Sequence, residues 1–547
     1  MKALLLVGLA AAVPASASTP VANADDLSTY VTARAADALG DPARAALLFA
    51  NLSRERPGDI SLKRRAVIGA IAAGDSRLAL QLARSMPVAE TPLDARMLIV
   101  ADELRAGRDK RAVEILRTKA GVIDASFLAP FVEAWALADG RNSKALDALA
   151  PVVPGSVLAT QLNEQRALLY LKLKRPQDAA PYAKIAVASA GGRADRLRLA
   201  LADGFLAAGD KQNALLMVEG DGPALAEGRA RILAGRQTGQ AIDNAPKAFS
   251  ELMVGMALAL GRMTDKGLPI AFAQVGRYAN PQNSGGSLLL ALLLEDDDRP
   301  TDALDILRSI DSADPFANQA ADAEIRLLVD SNRHEEALRR AQELVAARQS
   351  PDAFARLGVV YVEMENYTAA ADAYGRALQA MATTPSSDAA WMLRLYRASA
   401  LEESGKWPEA KAELALAMKE QPENALLLNF LGYGKLERGE DMEQAEAMVR
   451  KASALRPEDA SITDSLGWAE FKRGRFPEAI ATLQKAAQAE PAQAEIQEHL
   501  GDALYAAGRR YEARFAWRAA LVNAEADDKS RLQAKIDTGL TAATAAR

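Results

Sequence analysis

The sequence contains no cysteine and only two histidines, His334 and His499. The first absence excludes disulfides and thiolate chemistry. Neither histidine has a second histidine or a cysteine at ligand spacing, so no zinc site is expected. Both are read as structural or solvated residues. Aromatic residues make up 5% of the chain, poor material for an aromatic-lined catalytic pocket. A Gly-x-Ser-x-Gly elbow and a Gly-x-x-x-x-Gly-Lys-Ser/Thr phosphate loop are both missing. Long alternating runs bounded by hairpin turns are missing too, so no sheet is expected. Past the N-terminus no apolar run reaches the roughly 20 residues that span a bilayer. Ser287 to Leu294 is apolar, but Glu295-Asp296-Asp297-Asp298 closes it. That acidic run lacks the spaced acids and central glycine of a calcium loop, and reads as a solvated turn. No strong positive field is present either. The net charge is −6, with both signs spread along the chain, which argues against nucleic acid as the main partner.

What the chain does have is a period. Gly40, Gly74, Gly107, Gly140, Gly209, Gly405, Gly474 and Gly508 are each followed five residues later by an alanine. Gly40 and Gly74 are 34 residues apart, as are Gly474 and Gly508. Lys174, Asp298, Asn332 and Asn366 fall in the same register, with Ala179, Ala303, Ala337 and Ala371 five on. A fixed period of this length signals stacked repeats. The glycine marks a helix end, where a left-handed residue lets the last carbonyls find amides. Asn is the next best residue there, whereas Lys174 and Asp298 predict turns of another type. Pro176, Pro300, Pro408 and Pro477 follow the turn, where proline suits the first turn of a helix. Each unit thus reads helix, tight turn, helix. The alanine sits in the second helix and lets it approach the first closely. Gly191-Gly192 and Gly285-Gly286 read as turns between units.

The clearest unit runs from Ala460 to Gln493, with Leu466, Gly467 and Phe471 in its first helix and Ala479, Leu483 and Ala486 in its second. The next repeats it with Leu500, Gly501, Leu504, Tyr505, Ala513, Trp517 and Ala520. The one before carries an extra residue in its turn. These residues resemble the tetratricopeptide repeat (TPR). The resemblance is strongest in units starting near Ser284, Pro351, Trp391, Ala425, Ala460 and Ala494, and blurs between Gly220 and Pro281. It implies an all-α, right-handed superhelical solenoid of TPR and TPR-like helix pairs, closed by a C-terminal capping helix. Leu532, Ile536 and Leu540 would face the last unit, with Lys529, Arg531, Lys535 and Asp537 on other faces. Asp527 and Asp528 are expected to cap that helix.

The first residues read as an address. Lys2, the apolar Ala3 to Val13 and the small-x-small Ala15-Ser16-Ala17 form a secretory signal, with Ala22-Asn23-Ala24 as a second cleavage site. The predicted organisation is a signal peptide over 1–17 (alternatively to 24), divergent repeats over 25–219, an irregular helical connection over 220–283, a TPR array over 284–527, and a cap and tail over 528–547. Export without a lipid-attachment cysteine predicts a periplasmic protein of a Gram-negative bacterium.

A solenoid offers an extended concave surface lined by its first helices. The residues expected there are Met392, Leu395, Asn429, Tyr433, Asp464, Trp468, Phe471, Glu498, Asp502 and Tyr505. Phe471, Tyr505 and Trp468 equally suit packing between units. The mix of aromatic anchors and acids favours a protein or peptide partner with positive charge. The stretch Leu428–Leu521 also resembles secreted proteobacterial TPR proteins, including the lipoprotein adaptor of a carboxyl-terminal processing protease. That likeness implies an envelope scaffold or adaptor without catalysis, cofactor or metal. A scaffold for exopolysaccharide export and an unrecognised enzyme are the alternatives.

Overall fold

The computed structural model describes residues 24–118, 124–140, 142–152, 159–220, 222–262, 266–381, 390–541 and 544. The predicted signal segment lies almost wholly outside them. The described residues form 29 α-helices and five short 3-10 turns, and among them there is no strand. The chain divides into two compact units, Met1–Ser331 and Asn332–Arg547.

Helix pairs joined by tight turns make up most of both units, and the turns explain the period. Gly40, Gly74, Gly107, Gly209, Gly405, Gly474 and Gly508 all have φ between 68° and 86°. Beyond Ile60–Ala72, the Gly74 amide donates to Ile71 O at 2.9 Å and the Asp75 amide to Ala70 O at 2.8 Å. This is the paired closure that satisfies the last carbonyls of a helix. Lys174 (φ 60°) and Asp298 (φ 56°) adopt the same left-handed conformation as Asn332 (φ 56°), so their turns are not of another type. A side chain at such a position costs about 1 kcal/mol or more, and the repeat geometry imposes it nonetheless. The other register residues depart. Gly140 is a helix C-cap at φ −77°. In the unit starting at Pro351 the left-handed residue is Glu365 (φ 55°), and Asn366 caps the next helix by accepting from the Ala369 amide. Gly285 and Gly286 lie in the first turn of Ser284–Asp296 and not in a turn between units. The extra residue of the Ala425 unit is present, as Asp441 (φ 43°) between Gly439 and the helix starting at Met442.

All twelve predicted alanines are buried. Correcting Asn366 to Glu365 makes Ala370 the matching alanine, and it is fully buried. Helices also meet through first-helix glycines. A Cβ built on Gly467 would stand 2.6 Å from Leu483 Cγ, so no larger residue fits without displacing the second helix.

In the unit Met1–Ser331 the blurred segment has a structural meaning. Pro223–Leu233 is followed by a non-helical stretch over 234–244, and then by the helices Ala245–Leu260 and Gly267–Ala279. This last pair packs on Ile60–Ala72, Leu93–Arg105 and Ala129–Asp139, far earlier in the sequence. Both helices are buried nearly all round, which removes the amphipathic stripe that marks a repeat. The non-helical stretch is pinned by buried Asp203, which accepts from the Thr238 amide (2.6 Å), Thr238 Oγ1 (2.9 Å) and the Gln240 amide (2.9 Å).

Candidate interaction surface

In the unit Asn332–Arg547 the first helices are Pro351–Glu363, Ala390–Glu403, Ala425–Glu437, Ala460–Lys472 and Ala494–Ala506. Residues one repeat apart fall in columns along this row. Leu395, Asn429, Asp464 and Glu498 form one column; Ser399, Tyr433, Trp468 and Asp502 form another. Leu395, Asn429 and Tyr433 are half-buried, and Met392 is 39% exposed. Asp464, Trp468, Glu498 and Asp502, in the same columns, are buried. Phe471 and Tyr505 are partly buried and pack on the apolar core of the last two units. The ten residues picked from the sequence therefore divide into an accessible group at Met392–Tyr433, an enclosed group of Asp464, Trp468, Glu498 and Asp502, and Phe471 and Tyr505 half-buried beside it.

The enclosed group is a polar and aromatic layer. Trp468, 2% exposed, stacks between Phe471 (4.7 Å between centroids, 12°) and His499 (4.0 Å, 14°). Its indole N–H donates to Glu437. His499 Nδ1 lies 2.9 Å from Asp464 Oδ2. Burial opposes a charge on His499, but the Asp464 carboxylate outweighs it and raises the imidazole pKa.

The cap closes the layer. In the helix Ala526–Thr538, Leu532 and Ile536 face the core as the pattern predicts. Lys535 does not face solvent: it is fully buried, with Nζ 2.7 Å from Asp502 Oδ2 and 2.5 Å from Glu498 Oε1. Burial pushes its ammonium pKa down to about 8 and the Asp502 carboxyl up. Arg531 also pairs with Glu498, and the Trp517 indole donates to Asp502 Oδ1 at 2.9 Å. The helix starts at Ala526 with Glu525 at the cap position, so Asp527 and Asp528 fall in its first turn. A spacing argument found the apolar face of this helix. It gave no sign that a lysine between Leu532 and Ile536 would be drawn inward by two carboxylates one element away.

Around Tyr433 the charged neighbours are acidic. The Tyr433 hydroxyl donates to Glu495 Oε1 at 3.0 Å, two repeats on. Burial, then the carboxylates of Glu495, Glu437 and Asp464, raise its pKa. Tyr396, one turn from Met392, is 45% exposed. Sequence reasoning missed Tyr396, and missed a second exposed row on Arg510–Asn523. There Tyr511 (75% exposed), Phe515 and Val522 (78%) stand four and eleven residues apart on one face. That spacing was the available signal. No group of histidine, cysteine, aspartate or glutamate suited to a metal ion occurs among the described residues. No described helix is long and apolar enough to cross a membrane.

Family models recognise the repeat over part of the chain. Residues 467–508 match a family model described as TPR repeat, and 323–388 and 356–425 match one described as tetratricopeptide repeat. No curated protein matches the chain. Solved structures similar to it include the APC/C hetero-tetramer Cut9-Hcn1 (15% identity, TM-score 0.35, covering 94% of this chain and 89% of that one). Yeast Tom70 is another (11%, TM-score 0.38, 94% and 95%), as is pilF of Pseudomonas aeruginosa (21%, TM-score 0.29, 35% and 85%). The protein is an all-α solenoid of TPR-type helix pairs, with tetratricopeptide repeats recognised over 323–425 and 467–508.

Proposed function

We propose that this protein is a non-catalytic periplasmic scaffold or adaptor. It binds a protein partner through the first-helix face of its C-terminal repeats and serves cell-envelope assembly or proteolysis. The observation that carries the binding reading is the accessible group itself. Met392 and Tyr396 stand out from one first helix, and half-buried Tyr433 on the next is ringed by Glu437, Asp464 and Glu495. TPR repeats generally serve protein interaction, and an apolar row beside acidic side chains suits a segment with apolar anchors and basic flanks. The periplasmic reading rests on Lys2, the apolar Ala3–Val13 and Ala15-Ser16-Ala17.

A photo-crosslinking amino acid at Met392 should capture one defined partner in cells, and Tyr396→Ala with Tyr433→Ala should abolish that capture. Undiminished capture by the double variant removes this face from the function. Fractionation with N-terminal sequencing checks the compartment separately. A mature chain starting at Ser18 or Asp25 in the periplasmic fraction is expected, and a cytoplasmic chain that keeps Lys2 would refute export.

A further inference from the structure

A cavity of about 180 Å³ opens in the unit Met1–Ser331 where Gly267–Ala279 crosses Ile60–Ala72 and Leu93–Arg105. Arg105 and Arg277 both line it. Arg105 donates to the Tyr278 carbonyl (3.1 Å) and lies 4.5 Å from the Tyr278 ring centroid. Among the described residues Arg277 reaches only Ser309 Oγ, at 3.4 Å. Neither guanidinium has a carboxylate partner among the described residues, although arginine–carboxylate pairs abound elsewhere in the unit. On the helix of Arg105, Asp102 already holds Arg84 and the Tyr278 hydroxyl (2.6 Å), and Glu103 holds Arg84 and Arg108. Burial lowers the Arg277 pKa, with no acid to oppose it.

Gln274 supplies a second, independent observation. It is nine-tenths buried and lines the same cavity, and its side-chain amide has no hydrogen-bond partner among the described residues. Opposite it is left-handed Gly74, where a Cβ would stand 3.2 Å from the Gln274 amide nitrogen. Half-buried Arg277, exposed Arg105 and the Gln274 amide thus line one cavity with no carboxylate among the described residues to occupy them. One ligand can engage all three. Guanidinium forks match the two oxygens of a carboxylate or phosphate, and a neutral amide can donate to a third oxygen. Ile71, Leu98 and Val275 give the cavity an apolar wall. The volume lies below the roughly 300–1,000 Å³ typical of sites for drug-sized ligands.

We propose that this cavity is a binding site for a small organic oxyanion, a carboxylate or phosphate with a short apolar body, held by Arg105, Arg277 and Gln274. The site is separate from the partner-binding face and independent of it. The test is calorimetric titration of the full mature chain with isovalerate and, separately, with inorganic phosphate, against chloride at equal ionic strength. Saturable binding of isovalerate, with phosphate weaker, assigns the carboxylate. The reverse order assigns the phosphate. Arg105→Gln changes an exposed side chain and should leave the helical circular dichroism intact while weakening binding about tenfold or more. Gln274→Leu should weaken it less. Binding of neither probe above chloride overturns the site, as does equal affinity in a folded Arg105→Gln, Arg277→Gln double variant.

Discussion

The two units are built from the same helix pair but enclose their inner side chains differently. In Asn332–Arg547 each pair packs on the next one along the chain, and a terminal helix closes the row. In Met1–Ser331 the pair Ala245–Leu260 and Gly267–Ala279 returns to helices more than a hundred residues earlier. Polar ties fix that return: Arg105 to Tyr278, the Ala245 amide to Asp139 (3.2 Å), and Arg193 to Glu164 and Glu251. Nearest-neighbour stacking makes stability a sum of local terms, and long-range closure makes it cooperative. A lesion should therefore stay local in the C-terminal unit and spread in the N-terminal one. The same difference bears on the proposed binding face, because a row closed only at its end leaves first-helix side chains accessible at Met392–Tyr433.

The largest effect should come from breaking the cap. Lys535→Ala leaves Glu498 and Asp502 buried without their ammonium, which costs about 3–5 kcal/mol. Hydrogen exchange should show the last pairs opening while the helices around Phe354 keep their protection. Loss of protection through the whole unit would contradict the nearest-neighbour account. Next comes the N-terminal counterpart. Asp203→Ala takes the acceptor from the Thr238 amide and leaves the Gln240 amide only its longer bond to Thr238 Oγ1 (3.3 Å), which costs about 1.5–3 kcal/mol. Here faster exchange should extend to Leu93–Arg105 through the returning pair, and an effect confined to 234–244 would show that closure is not cooperative. Smaller again is Ala479→Leu, which overpacks one helix pair at about 1–3 kcal/mol by chemical denaturation. An unchanged midpoint would mean that Ala479 is not held against its partner helix.

The comparison also separates what was legible in the sequence from what was not. Turn and alanine positions were legible because each is set within a single hairpin: a left-handed residue, then a small one. The errors at Lys174, Asp298 and Asn366 share a cause. Repeat geometry overrode the local preference for glycine or asparagine, and only the backbone reveals which residue carries the positive φ. The helices Ala245–Leu260 and Gly267–Ala279 were not legible as an inner pair, since burial on all sides erases periodicity. The candidate surface was legible by column but not by depth. Asn429 and Asp464 occupy the same repeat position, as do Tyr433 and Trp468. Nothing in the spacing tells that His499 and the capping helix enclose the later members.

The subtlest contrast lies within the enclosed layer and is read by pH. His499 has its pKa raised above 6.5 by Asp464, so the folded unit holds a proton that the unfolded chain releases. The stability this contributes is fully present below pH 6.5 and is lost as pH rises through the raised value. Lys535 acts with the opposite sign and higher up. Its pKa is depressed to about 8, so the unfolded chain binds the extra proton between about 8 and 10.5, and stability climbs with pH there. Below pH 8 the lysine stays charged in both states, which isolates the histidine there. Denaturation of wild type between pH 6.5 and 8 should show falling stability of the C-terminal unit, and His499→Gln should flatten that slope while leaving the alkaline limb unchanged. A slope that persists in His499→Gln would place the titrating group elsewhere. Trp468 fluorescence gives an independent reading, since its indole stacks on the imidazole at 4.0 Å and should respond over the same pH range only when His499 is present.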